Sequence, residues 1–234
     1  MKQKYAILTD LLIQIFFLDL CMLREIISKD WYVVVSLVSL IIILMAKKID
    51  ALRFSAFLKL LSNTNYLRIY LKEHSFYDRF DSLLFINFCM NFVVFGWILY
   101  QFIVEPVTMN LVLFTQLFSI VSVFILLKIS LELFLGYVLD LYTLFNILTF
   151  QQISSYNFVG LTLLPLNALV VFGFDFAPWA IILSVSLTLL IVISGMVKTV
   201  QSNLNMLLNN FLYFILYLCT FEIGPYLVLY KVLM

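Results

Sequence analysis

The sequence predicts an all-α, polytopic integral membrane protein of six or seven transmembrane helices with cytoplasmic interfacial helices, and three observations lead there. The 234 residues are 65% hydrophobic and 12% charged, with a mean hydropathy of +1.11. A soluble core cannot hide that much apolar surface, because a domain of this size leaves much of its surface in solvent. The apolar residues gather in runs near the roughly 20 residues that a helix needs to cross the hydrocarbon. Between the runs, Lys and Arg are unevenly placed, which sets an orientation.

The first run, residues 5–23, is interrupted by Asp10, Gln14 and Asp19, so residues 1–30 hold either a span or an interfacial segment. No small-x-small cleavage site follows it, and in LDLC at 18–21 Leu20 stands where an acylation box needs a small residue. The segment is expected to be retained. Residues 31–46, WYVVVSLVSLIIILMA, form the first strong span. An amphipathic cytoplasmic segment follows at 47–81. In it Leu52, Phe54, Phe57, Leu58 and Leu61 are expected to share a broad apolar face, with Arg53 and Lys59 near its polar edge. Such a helix lies on the membrane surface or docks a partner.

Five more strong spans are expected at 82–103, 110–128, 157–174, 178–196 and 207–231. Residues 128–157, KISLELFLGYVLDLYTLFNILTFQQISSYN, prolong the preceding span, lie flat or cross again. Lys128 and Glu132 stand four apart there, which permits a same-face ion pair. No repeat and no Pro/Gly/Ser linker is visible, so one membrane domain is expected over 1–234, with its main bundle at 82–234.

The segment after the first strong span carries Lys47, Lys48, Arg53, Lys59, Arg68, Lys72 and Arg79, whereas the turns near Glu105 and Asp175 carry no basic residue. Basic residues near span ends stay in the cytoplasm. Threading the chain from there, with residues 5–23 crossing, puts eleven of the 14 basic residues inside and leaves Arg24, Lys29 and Lys231 outside. Trp31, Trp97 and Trp179 then fall near the outer face, the headgroup level that tryptophan prefers. The C-terminus is expected outside.

The net charge of +1 offers no electrostatic footprint for nucleic acid, which is excluded as a partner. Cys21, Cys89 and Cys219 are far apart and form no CxxC or zinc-like set with the single histidine, His74. No metal or cofactor is expected. Catalysis needs a nucleophile with its base, a metal, or an acid and base within reach, and no HExxH, GxSxG, Walker or GxGxxG motif is present.

Ionisable and amide groups at membrane depth are the remaining leads, because a central charge costs roughly 2.5 to 3.5 kcal/mol on insertion scales. Glu222 precedes Gly224 and Pro225 in the last span. Pro225 leaves the carbonyl of Phe221 without its helical donor, so a kink beside the acid is expected, serving as a cation or proton site or as a packing joint. Asn87 and Asn91 share a face in the second strong span, and Asn167 follows Pro165. Interhelical hydrogen bonds explain these more cheaply than a substrate path. Asp10, Asp19 and Asp140 are weaker leads.

Two stretches resemble a known family. LSNTNYLRIYLKEHSFYDRFDSLLFINF at 61–88 and YFILYLCTFEIGPYLVLYKVL at 213–233 look like the signature regions of a Bacteroidota family of multi-pass membrane proteins defined only as a domain of unknown function. The resemblance runs from about residue 31 onward. It implies a bacterial inner membrane and supplies no activity. Its pattern points to Arg68, Glu73, Phe76 and Arg79 in the cytoplasmic stretch, and to Tyr217, Cys219, Thr220, Glu222, Pro225 and Lys231 at the end. Arg68 and Arg79 then anchor the chain at the inner face or bind an acidic partner surface.

The expected function is that of a non-enzymatic subunit or assembly factor of a larger envelope complex, with other integral membrane proteins and lipid as its partners. Protein export or membrane insertion is the kind of machine that the family's envelope setting suggests. The alternative is a small transporter coupled to protons or cations through Glu222, with Asn87, Asn91 and Asn167 along its path.

Overall fold

The computed structural model describes residues 30–59, 78–104 and 109–202. They form α1 (Asp30–Ile49), the short α2 (Ala51–Leu58), α3 (Arg79–Ile103), α4 (Leu111–Val138), α5 (Tyr142–Ala168) and α6 (Pro178–Ser202). A π-helical turn, Leu169–Gly173, continues α5. Among the described residues there is no strand. Five helices are long and apolar enough to cross a membrane: α1, α3, α4, α5 with its π turn, and α6. The expected spans at 5–23 and 207–231 lie outside the described residues.

Capping residues set several of the boundaries. Asp50, Asp78 and Asn110 precede α2, α3 and α4, and each accepts a backbone N–H from the first turn: Arg53 N at 2.8 Å, Phe80 N at 3.2 Å and Leu113 N at 2.7 Å. These bonds satisfy donors that a helix start leaves orphaned. Within α5, Pro165 removes one N–H from the ladder, and the helix passes into the π turn that Phe174 N closes on Leu169 O at 3.0 Å.

The stretch at 128–157 divides between two helices. Its first part prolongs α4 to Val138, and its second part begins α5 fifteen residues ahead of the expected start at 157. A Schellman closure separates them: Leu141 N donates to Gly136 O at 2.9 Å and Asp140 N to Tyr137 O at 3.3 Å, with Asp140 left-handed at φ 55°. Asp140 is thus a helix terminator. Gly136 makes the hairpin possible, since a Cβ there would stand 2.6 Å from Phe145 Cβ.

Helix α5 packs against α3, α4 and α6, while α1 lies mainly on α3. The closest approach is at Gly160, where a Cβ would come within 2.4 Å of the Phe88 Cα on α3. Helix α3 is the interior element, with 61% of its spanning window buried, against 11% for α4 and 17% for α6. Those two turn most of their apolar surface outward.

The ends of the bundle differ in chemistry. Trp31 meets Trp97 edge-on with ring centroids 4.8 Å apart, Trp97 meets Phe176 at 5.7 Å, and Trp179 meets Phe174 at 4.4 Å. All three tryptophans therefore lie at one end. Among the described residues that end carries no Lys or Arg, whereas Lys47, Lys48, Arg53, Lys59, Arg79 and Lys198 lie toward the other.

Helix α2 departs from the expected amphipathic face. Phe54, Phe57 and Arg53 are buried, packed with Ala46, Phe80, Leu84, Phe150 and Phe158, while Leu52 and Leu58 are exposed. Arg53 and Phe57 lie one turn apart, so both face the bundle. The arginine expected at the polar edge is drawn inward because two carboxylates wait there.

Candidate functional site

The polar groups inside this apolar bundle form two charged clusters and one line of amides. At the basic end, the Arg53 guanidinium from α2 meets the carboxylates of Asp78 and Asp81 on α3, the latter at 2.6 Å. The Arg53 and Asp81 side chains are 8% and 9% exposed, whereas that of Asp78 is 29% exposed. The guanidinium also lies over the Phe80 ring, 4.8 Å from its centroid. Planar and permanently charged, Arg is suited to such a forked contact, which pins α2 to the start of α3.

The second cluster joins α4 to α5. Lys128 Nζ stands 3.7 Å from Glu132 Oε1 and donates to Tyr156 OH at 3.3 Å. Gln152 Nε2 donates to the same hydroxyl at 2.8 Å, and Thr149 Oγ1 donates to Glu132 Oε2 at 3.4 Å. Glu132 is fully buried. An ion at this depth survives only where a counter-ion and hydrogen bonds replace its water.

The amides run along α3 and α5 between these clusters and the tryptophan end. Asn157 Nδ2 donates to Asp81 O at 3.4 Å. Farther along α3, Asn91 Nδ2 donates to Asn87 Oδ1 at 3.1 Å and to Ser39 Oγ on α1 at 3.3 Å. Asn167 Nδ2 on α5 donates to Asn91 O at 3.0 Å. All four asparagines are buried. Asn87 Nδ2, Asn157 Oδ1 and Asn167 Oδ1 have no hydrogen-bond partner among the described residues. They retain capacity for one more donor or acceptor each.

Of the residues singled out in the sequence, Asn87, Asn91 and Asn167 come together in this interior line. Arg79 is the first residue of α3 and is exposed at the basic end, away from the asparagines. Glu222, Pro225, Arg68, Glu73 and Phe76 lie outside the described residues. Sequence reasoning missed Asp81, Ser39, Asn157, Thr149 and Tyr156. Asp81 and Arg53 are 28 residues apart, a spacing with no helical meaning, so only the folded chain pairs them. Asn157 and Thr149 carried a signal, since both are polar residues inside what proves to be one long helix.

Among the described residues no group of three or more His, Cys, Asp or Glu could hold a metal ion. The charged clusters clamp helices to one another, and the asparagine line offers neutral hydrogen-bonding capacity at membrane depth. Together with five helices of spanning length, they define a multi-pass α-helical membrane protein. The chain belongs to the family described as domain of unknown function DUF4271, whose model matches residues 32–233. No curated protein and no solved structure matches the chain.

Proposed function

We propose that this protein is a non-enzymatic integral subunit or assembly factor of a larger complex in a bacterial inner membrane, of the kind that exports or inserts proteins. The observation that carries this reading is the pairing of a cross-linked polar interior with peripheral helices, α4 and α6, that leave most of their apolar surface uncovered among the described residues. Helices α4 and α6 are strongly apolar yet bury little of their surface among the described residues. Apolar faces of that extent suit lipid or the helices of other membrane proteins. The described connections, Leu139–Leu141 and Phe174–Ala177, are too short to carry a catalytic domain.

In this reading the basic end faces the cytoplasm and the tryptophan end faces outward, with the C-terminus in the periplasm. The one-sided distribution of Lys and Arg supports this orientation. Purification from native membranes in mild detergent, followed by size and mass-spectrometric analysis, tests the subunit reading. A stoichiometric set of other membrane proteins is expected. Recovery as a lone monomer or homodimer in several detergents would overturn it.

A second reading, a small proton- or cation-coupled transporter using Glu222, draws support from the buried asparagine line. It requires Glu222→Gln to abolish uptake while the protein remains folded and abundant.

A further inference from the structure

Helices α3 and α4 are antiparallel neighbours that pack through Cys89 and Phe95 of α3 and Phe118 and Ile125 of α4, and two clefts open beside that contact. Toward the basic end a cleft of about 480 Å³ lies between Ser82, Phe85 and Ile86 of α3 and Ser122 and Leu126 of α4, with Ile153 of α5 at its side. Toward the tryptophan end a second cleft of about 380 Å³ lies between Phe92, Gly96 and Tyr100 of α3 and Leu113, Leu117 and Val121 of α4. Val121 and Ser122 are adjacent in α4 but point about 100° apart around it, so the two clefts open on different flanks of that helix. The basic-end cleft is bordered by α4 from Phe118 to Ile129, about 16 Å at 1.5 Å per residue, or about one leaflet of a hydrocarbon core roughly 30 Å thick.

The tryptophan-end cleft is built into α3. A Cβ added at Gly96 would meet no atom within 4 Å, whereas one at Gly160 would collide with Phe88. A helical glycine is disfavoured by about 1 kcal/mol against alanine. Gly160 offsets this through a close helix contact, and Gly96 leaves empty width in that cleft.

The occupant follows from shape and charge. A transmembrane helix, 10–12 Å across, needs one continuous channel. An almost wholly apolar cleft of one leaflet's depth instead suits a flexible acyl chain entering from the leaflet at the basic end. At the basic mouth, Arg79 is exposed and lies at i and i+3, i+7 spacing with Ser82 and Ile86, on the face that borders the cleft. Asp81, which also lines the cleft, and Asp78 beside it are paired with Arg53. Arg79 is thereby placed to meet an anion.

We propose that the α3–α4 seam is a phospholipid-binding site, in which an acyl chain occupies the basic-end cleft and the phosphate of an anionic glycerophospholipid meets the Arg79 guanidinium. The site does not depend on the subunit reading above.

Native mass spectrometry of the full-length protein, titrated with phosphatidylglycerol or phosphatidylcholine, tests it. The wild type is expected to bind phosphatidylglycerol more tightly, and Arg79→Gln to weaken that binding about fivefold while sparing phosphatidylcholine. Ile86→Trp, or Leu126→Trp from the facing helix if the first fails to fold, is expected to fill the cleft and remove both. Unchanged phosphatidylglycerol affinity in Arg79→Gln and in the cleft-filling variant would overturn the proposal. A photoreactive residue at position 86 is expected to form lipid adducts in native membranes. Adducts only to another protein or to a second copy of the chain would overturn it equally.

Discussion

The side-chain amide of Asn167 donates to the backbone carbonyl of Asn91 across 3.0 Å, and the amide of Asn91 donates to Ser39 Oγ across 3.3 Å, so three spanning helices meet at two asparagines. The first bond lands on main chain. Replacing the Asn91 side chain therefore leaves the Asn167 bond in place. Asn167→Leu and Asn91→Leu are each expected to destabilise the bundle by about 0.6 kcal/mol and by no more than about 1.7, the mean and the maximum for interhelical hydrogen bonds in a bilayer. Contacting residues usually couple, but because the Asn167 bond lands on main chain the two effects should add to within about 0.5 kcal/mol. Unfolding by steric trapping in bicelles would measure both, and strong non-additivity would show the two amides acting as one unit.

Two glycines in the bundle should respond to alanine with opposite signs. Gly160→Ala sets a methyl against the Phe88 backbone, which cannot yield without moving α3, and should cost about 1 to 3 kcal/mol. Gly96→Ala meets open space and should stabilise the helix by up to about 1 kcal/mol. Thermal unfolding in one detergent compares them directly. A fall in melting temperature for Gly96→Ala as large as that for Gly160→Ala would contradict the packing described here.

Removing Arg53 strands the buried Asp81 carboxylate. Arg53→Met should cost on the order of 3 to 5 kcal/mol as a broken buried pair, with little of that from the partly exposed Asp78. Because the same contact pins α2, Phe57→Cys in the Arg53→Met background should become reactive to a water-soluble maleimide. Adding Asp81→Asn should restore much of the stability. A single Arg53→Met variant as stable as the wild type would mean that the ion pair holds nothing in place.

The α4–α5 cluster obeys the same logic, since there too the loss of a cation strands a buried carboxylate. Lys128→Met takes the ammonium from the fully buried Glu132, whereas Glu132→Gln keeps an acceptor for Thr149 and leaves Lys128 with Tyr156. The first should be the more damaging, and the double variant should be more stable than Lys128→Met alone. Denaturation of the three proteins under identical conditions ranks them, and the reverse order would sink this account.

Much of the architecture was legible before any coordinates, and for one reason. A spanning helix is a local property of about 20 residues in a given solvent, so the runs at 31–46, 82–103, 110–128 and 178–196 match α1, α3, α4 and α6 with only their ends adjusted. The run at 157–174 was too short, because Tyr142–Gly173 is longer than a hydrocarbon core and its first half is too polar to register as apolar. Hydropathy cannot see a helix that continues past the membrane.

The polar interior divides along the same line. Asn87 with Asn91, and Lys128 with Glu132, were visible because i, i+4 spacing is helix geometry. Arg53 with Asp81, Asn91 with Ser39, and Asn167 with Asn91 join residues 28, 52 and 76 apart, and no local rule links them. By itself, then, the sequence determined the solvent, the helices and the chemical difference between the two ends of the bundle, since each depends on composition within one segment. Tertiary structure alone decided which buried charges meet, that Arg53 turns inward, and that clefts remain beside the contact of α3 with α4. Those outcomes depend on which helix faces pack together, and close packing is settled by side-chain shapes that meet only in the folded chain.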